Sequence, residues 1–323
     1  MSWLASSQVV LAHFNEGSPC LNCTLNCSCG VAHLIISYRK NFLISCVLAS
    51  MTDWDNLIQE TRLDVEAGVK AWKAVLSDMF EDNILYAYAK GSAMKKWDTP
   101  IDYVPVISDL DIHLMPKESL SLFALSSHDF DLSLTVSKKY EDTFNELRPK
   151  ALHTPRSQVM SIHKLKQAVE YVPPRKKDVR MLIGAFPDNE YPSNSVIRQK
   201  DLDQILNLEE YLLRIPSRLL DRTGLDYWSI LREFTFRVSP TPVRLLTQNA
   251  NDPLDLWSCN RTQIVEVLEE KGYDAIARHY LDYYQNGWNL FLSGFTSNED
   301  YRRTIRGGYY TIELCIEEAK KIT

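Results

Sequence analysis

The sequence predicts an α+β fold in two parts: a mixed region of strands and helices over residues 51–195, then an all-helical region over 196–323. Three observations lead there. Short apolar runs bounded by turn residues alternate with helical spacing up to about residue 190. Beyond about residue 198 only helical spacing remains. Pro187, Pro192, Ser193 and Asn194 gather where the texture changes. The length of 323 residues suits two domains, each large enough to bury its own core without a disulfide or metal staple.

Residues 53–80 place Trp54, Leu57, Ile58, Val65, Val69, Trp72, Val75 and Leu76 three and four apart. Asp53 can cap the start of this helix and Asp82-Asn83 can break its end. Residues 84–90 (ILYAYAK) read as a buried strand, and Gly91-Ser92 turns the chain. Residues 93–107, with Pro100 and Pro105, read as a loop. Residues 108–114 (SDLDIHL) form a second strand stopped by Pro116. Helices are expected over 117–127 and 131–148, and strands over 157–165 and 178–185, the last closed by Gly184 and Pro187. The helical part reads as a Leu-rich helix over 200–221 with Gly224 beyond it. Further helices follow over 225–236, 260–271 (ending at Gly272), 273–293 and 298–321.

Residues 1–50 differ in kind. Five of the seven cysteines lie there, among them Cys20, Cys23, Cys27 and Cys29. Thiolates so clustered can bind zinc or an iron–sulfur centre, but structural zinc sites usually pair two separated knuckles and only one cluster is here. A poorly ordered extension, or upstream sequence before a start at Met51, accounts better for the segment, because a well-formed helical pattern begins directly after Met51. Beyond them only Cys259 and Cys315 occur, the usage of a reducing, cytoplasmic compartment. No uncharged apolar run reaches 18 residues, so no membrane span is expected. The net charge of −6 argues against a chain-wide electrostatic grip on nucleic acid, though not against a local basic groove.

In the second strand Asp109, Asp111 and His113 alternate with Leu110, Ile112 and Leu114, so the polar three share one face. Two carboxylates about 7 Å apart along a strand repel unless a cation lies between them. Magnesium fits that role, taking hard oxygen ligands from one or two carboxylates and from substrate phosphates. Gly91 lets the backbone approach a phosphate closely, and the amides and hydroxyl of Gly91-Ser92 can donate to it.

Strand, Gly-Ser turn, loop and Asp-x-Asp strand, residues 86–114 (YAYAKGSAMKKWDTPIDYVPVISDLDIHL), together resemble the nucleotidyltransferase superfamily that includes DNA polymerase beta and kanamycin nucleotidyltransferase. The resemblance implies Asp109 and Asp111 as catalytic metal ligands, Gly91 and Ser92 as the phosphate-binding turn, and a mixed-sheet catalytic domain followed by a helical one that helps form the acceptor pocket. It implies Mg2+ as cofactor, a nucleoside triphosphate (ATP by family habit) as donor, and pyrophosphate as product. The acidic balance favours a small-molecule acceptor over RNA, with a protein side chain as a further option. Two departures stand out. Sixteen residues separate Ser92 from Asp109, which reads as an inserted loop over the site. The family commonly supplies a third carboxylate from a later strand, and strand 157–165 carries none; Asp178, Glu170 and Asp131 are the candidates. Without a third acid the chain could be a catalytically weakened nucleotide-binding or partner-binding module.

Other residues admit two readings each. His113 can act in proton transfer or belong to a polar sheet surface. Lys95 and Lys96 can neutralise triphosphate charge or be solvated. Arg175, Lys176, Lys177 and Arg180 form the most basic stretch and are better read as a solvated loop. Arg232, Arg237, Arg244 and Arg261 can contact nucleotide across the cleft or pair with nearby acids. Ile276, Tyr280, Tyr283, Tyr284, Trp288 and Phe291 share a helical face and read as core sooner than as a stacking platform.

Overall fold

A computed structural model describes residues 53–117, 127–168 and 170–322. The cysteine cluster Cys20, Cys23, Cys27 and Cys29 lies outside the described residues. Helix α1 (Trp54–Phe80) buries Val65, Val69, Trp72, Leu76 and Phe80, one stripe at three- and four-residue spacing. A single tight turn at Glu81–Asn83 ends it and feeds β1 (Ile84–Lys90). β1 pairs antiparallel with β2 (Leu110–Pro116), placing Lys90 opposite Asp111. β2 runs on through helix α2 (Ser127–Leu147) to β3 (Ser157–Ser161), which lies parallel to it. β3 ends in the short helix α3 (Ile162–Leu165). β4 (Arg180–Ile183) pairs antiparallel with β1, so the mixed sheet has the order β3-β2-β1-β4.

Alternation along β2 sets the layers. Leu110, Ile112 and Leu114 are fully buried in one hydrophobic cluster with Val65, Trp72 and Leu76 of α1 and Tyr140 and Phe144 of α2. Asp109, Asp111 and His113 line a cleft instead. The apolar face binds helices and the acidic face is left to the cleft, as the period of two requires.

Eight helices follow: α4 (Asn194–Leu206), α5 (Leu208–Leu220), α6 (Tyr227–Val238), α7 (Pro240–Thr247), α8 (Pro253–Ser258), α9 (Arg261–Glu270), α10 (Asp274–Leu292) and α11 (Asn298–Lys320). The expected helix over 200–221 is two helices divided at Asn207, and α7 and α8 occupy residues with no helix expected. Ser297 caps α11 and Asn260 caps α9, the latter in a reciprocal pair with Gln263. α11 lies directly on α10: a Cβ at Gly307 would stand 2.8 Å from the Tyr283 amide nitrogen, so glycine sets the approach. The aromatic face of α10 is core, with Tyr280, Tyr283, Tyr284 and Trp288 almost fully buried.

Residues from Trp54 onward form one compact unit with two main cores, and the helical core draws in residues well before 196. Ile101, Val104 and Ile107, between β1 and β2, are buried in the helical core. The sixteen residues between Ser92 and Asp109 therefore do more than border the cleft, as Lys95, Asp102, Ile107 and Ser108 do. They plug the helical half, and their backbone is held there: Trp288 Nε1 donates to the Pro100 carbonyl at 2.7 Å, and Arg261 Nη1 donates to Ile101 O at 2.9 Å and to Ser108 Oγ at 2.9 Å.

Candidate active site

The cleft, about 650 Å³, lies between the acidic face of the sheet and the helical half. One wall begins at the bend after β1. Gly91 has φ +80°, a left-handed conformation that L side chains rarely adopt, and a Cβ there would collide with Oδ2 of Asp111. Ser92–Met94 then make one tight turn closed by Met94 N donating to Gly91 O at 3.0 Å. Arg62 of α1 fixes this turn from behind, donating to Ala93 O at 3.0 Å and Lys95 O at 2.9 Å. The same guanidinium lies 4.0 Å from the Trp97 ring centre, and Trp97 Nε1 donates to Ser92 O at 2.9 Å. Three carbonyls of the bend are thus satisfied by Arg62 and Trp97, while Gly91 and Ser92 border the cleft.

Asp109 and Asp111 are held differently. Asp109 accepts from Arg156 Nη2, and that nitrogen also reaches Thr235 Oγ1 of α6 at 3.3 Å. Burial raises the Asp109 carboxyl above the usual range, against the downward pull of Arg156. Asp111 accepts no hydrogen bond from any described residue. Burial pushes its carboxyl up to about 6, with Lys90 opposing and Asp109 adding to the rise. His113 is buried against Tyr88, ring centres 5.5 Å apart, and its Nδ1 has no partner among the described residues. Burial and nearby Lys90 push it down to about 2, so the ring is neutral across the physiological range and has no spare proton to give.

The candidate third acids, Asp178, Glu170 and Asp131, are placed differently. β3 lies beside β2 with Gln158 in register with Asp111, so the neighbouring strand offers an amide where a carboxylate would converge. Asp178, just before β4, borders the cleft and accepts from Ser258 Oγ at 2.7 Å. Glu170 borders the cleft and is exposed. Asp131 is exposed on α2 and is not part of the cleft wall. Among the described residues no group of three or more His, Cys, Asp or Glu is placed to hold a metal.

Lys95 is not free to meet a phosphate: its ammonium donates to Trp257 O at 2.8 Å and Cys259 O at 2.7 Å, and burial pulls it down to about 8. Lys96 is exposed and pairs with Asp98. Arg175 is tied to Asp252 and Asp255, Lys177 lies 3.7 Å from Asp255 and Arg180 is tied to Glu66, while Lys176 is exposed. Of the four helical arginines, Arg232 is exposed, Arg237 lies on the Tyr211 ring, and Arg261 is buried on backbone carbonyls. Of these four, Arg244 lines the cleft and makes no hydrogen bond to any described residue, its Nε lying 3.9 Å from Asp201 Oδ1.

Two residues escaped the sequence reading. Arg156 precedes a strand and carries no motif, and its link to Asp109 arises only because β3 lies beside β2. Asp102 is buried at the cleft, but four donors fill its carboxylate: the amides of Asp98, Thr99 and Thr262 and the Thr262 hydroxyl. No helix among the described residues is long and apolar enough to cross a membrane. Comparison with family models, curated proteins and solved structures found no match to this chain.

Proposed function

We propose that the chain is a Mg2+-dependent nucleotidyltransferase that moves a nucleoside monophosphate, AMP from ATP, onto a hydroxyl of a small-molecule acceptor and releases pyrophosphate. One observation carries this reading: Gly91 packs so closely on Asp111 that the bend suited to a phosphate and the carboxylate suited to a metal share one wall of the cleft. The donor set fits magnesium. Asp111 is a desolvated carboxylate with no hydrogen-bond donor among the described residues, beside a second carboxylate, and both open on space for substrate phosphates and water, which would complete the ligand shell. Asp109 and Asp111 would hold the ion, which when bound neutralises charge on the reacting phosphates.

The chain's own residues supply the rest. Gly91 and Ser92 offer amides and a hydroxyl to the phosphates, with the turn pre-set by Arg62. Arg156 orients the Asp109 carboxylate. The acceptor oxygen attacks the α-phosphorus, the bond to pyrophosphate breaks, and Asp178 or Glu170 at the cleft receives the acceptor's proton.

A second reading has its own support. Gln158 stands in register with Asp111, and Arg156 occupies Asp109, as in a catalytically weakened nucleotide-binding or partner-binding module. One experiment separates the two. The full chain is incubated with ATP and MgCl2 over a panel of hydroxyl-bearing small molecules, and pyrophosphate is assayed beside ATP binding. Transfer predicts pyrophosphate release that drops roughly a hundredfold or more in Asp109→Asn and Asp111→Asn while melting is preserved. Full activity in either variant rejects the metal site. ATP binding with no pyrophosphate from any acceptor favours the module.

A further inference from the structure

The helical wall of the cleft contains a cation whose surroundings leave it incomplete. Arg244 on α7 has 18 % of its side chain exposed, and its Nε is buried with no hydrogen-bond partner. No nitrogen of its guanidinium donates to any described residue. The nearest carboxylate oxygen, Asp201 Oδ1, is 3.9 Å from Nε, beyond hydrogen-bond range. The other Asp201 oxygen already accepts from Thr247 Oγ1 at 2.8 Å and Trp257 Nε1 at 3.2 Å.

A buried, partnerless Nε is shared with Arg156 and Arg261, but most arginines drawn inward make other bonds that Arg244 lacks. Arg62, Arg148, Arg156, Arg198 and Arg261 each donate at least two hydrogen bonds. A guanidinium carries five donors in a rigid fork, and leaving them unmet inside a protein is costly unless something else meets them. Lys200 and Gln204, four residues apart on α4 and so on one helical face, line the same cleft. The Lys200 ammonium makes only one long contact, 3.4 Å to Tyr171 O, and the Gln204 amide makes no hydrogen bond to any described residue.

We propose that Arg244, Lys200 and Gln204 form a phosphate-recognition subsite on the helical wall, facing the cleft that Gly91 and Asp111 border from the sheet. Its ligand is a phosphoryl group approached by a fork and a point charge together, which suits the polyphosphate tail of a nucleotide or a phosphate carried by the acceptor. The subsite depends on the nucleotidyl-transfer reading for which of these enters, and not for its existence.

The test is calorimetric titration of the full-length protein, without metal, using inorganic tripolyphosphate, ATP, AMP and adenosine. Arg244→Met, Arg244→Lys and Lys200→Met are compared with the parent after circular dichroism confirms the fold. Tripolyphosphate should bind the parent, and Arg244→Met should weaken it roughly 10- to 100-fold. Arg244→Lys and Lys200→Met should give smaller losses, and adenosine should be unaffected. If ATP loses affinity in parallel with tripolyphosphate, the donor tail is the ligand. If only tripolyphosphate does, the phosphate belongs to the acceptor. Equal binding of tripolyphosphate to parent and Arg244→Met overturns the subsite, whether or not pyrophosphate is released in the transfer assay. Arg244-dependent binding with no pyrophosphate release keeps the subsite and removes the transfer reading.

Discussion

Gly91 and Asp64 show what single residues contribute. At Gly91 the backbone is left-handed and the side-chain position is already taken by the Asp111 carboxylate. Gly91→Ala should therefore both strain the bend and displace Asp111. We expect a stability loss of more than about 1 kcal/mol by thermal melting, together with loss of nucleotide binding. Retained ATP affinity in a folded Gly91→Ala protein would count against a phosphate-binding bend. Asp64 is a fully buried acid of α1, remote in role from the cleft. It accepts from the amides of Leu152 at 2.9 Å and His153 at 3.1 Å, from Arg148 Nε at 2.9 Å, and from the His153 ring. Burial alone would raise its carboxyl, but the bonds from His153 and Arg148 outweigh it and hold the group below its usual value of 3.8. A depressed folded value contributes stability above pH 3.8 that disappears as pH falls through that folded value. Asp64→Asn should cost about 3 kcal/mol at pH 7. Urea melts from pH 6 to pH 2 should show the parent converging on the variant, and a gap that stayed constant would refute the linkage.

At the scale of elements, strands were legible where alternation or a bounded apolar run marked them. β1 occupies the expected residues 84–90, and Asp111 and His113 of β2, with Asp109 just before it, line the cleft away from buried Leu110, Ile112 and Leu114, as their period requires. Helices were legible as stripes but not always as units. Nothing apolar marks the break at Asn207, and α7 and α8 begin at Pro240 and Pro253, where proline invites a loop reading although it also suits a first helical turn. Neither Arg156 nor Gln158 could be placed from sequence, because their importance comes from the strand they lie beside and strand order is a tertiary property. Gln158 carries a prediction for β3: if the chain transfers nucleotides weakly for want of a third acid, Gln158→Asp should raise the rate of pyrophosphate release at least about tenfold. An unchanged rate would show that a carboxylate at that register position is not what limits the reaction.

For the whole molecule, the cores of the sheet and the helices are joined less by a linker than by the connection between β1 and β2. Ile107 is 3 % exposed within the helical core, and Lys95 reaches the carbonyls of Trp257 and Cys259. The two cores should therefore melt in one transition. Ile107→Ala should lower stability by about 2–4 kcal/mol, with near- and far-ultraviolet signals shifting together. Two separated transitions would show that the halves are energetically independent.

That connection also limits how the chain can vary in length. Surface hairpins usually tolerate gain or loss of residues, but this one is pinned at both ends, by the Gly91 bend at its start and Asp109 and Asp111 at its finish, and wedged in the middle by Ile101, Val104 and Ile107. Deletions inside 98–106 would leave the first strand pair able to form yet open a void among distant helices. A natural variant with a shorter hairpin would be expected to carry larger side chains on the facing surface of α10.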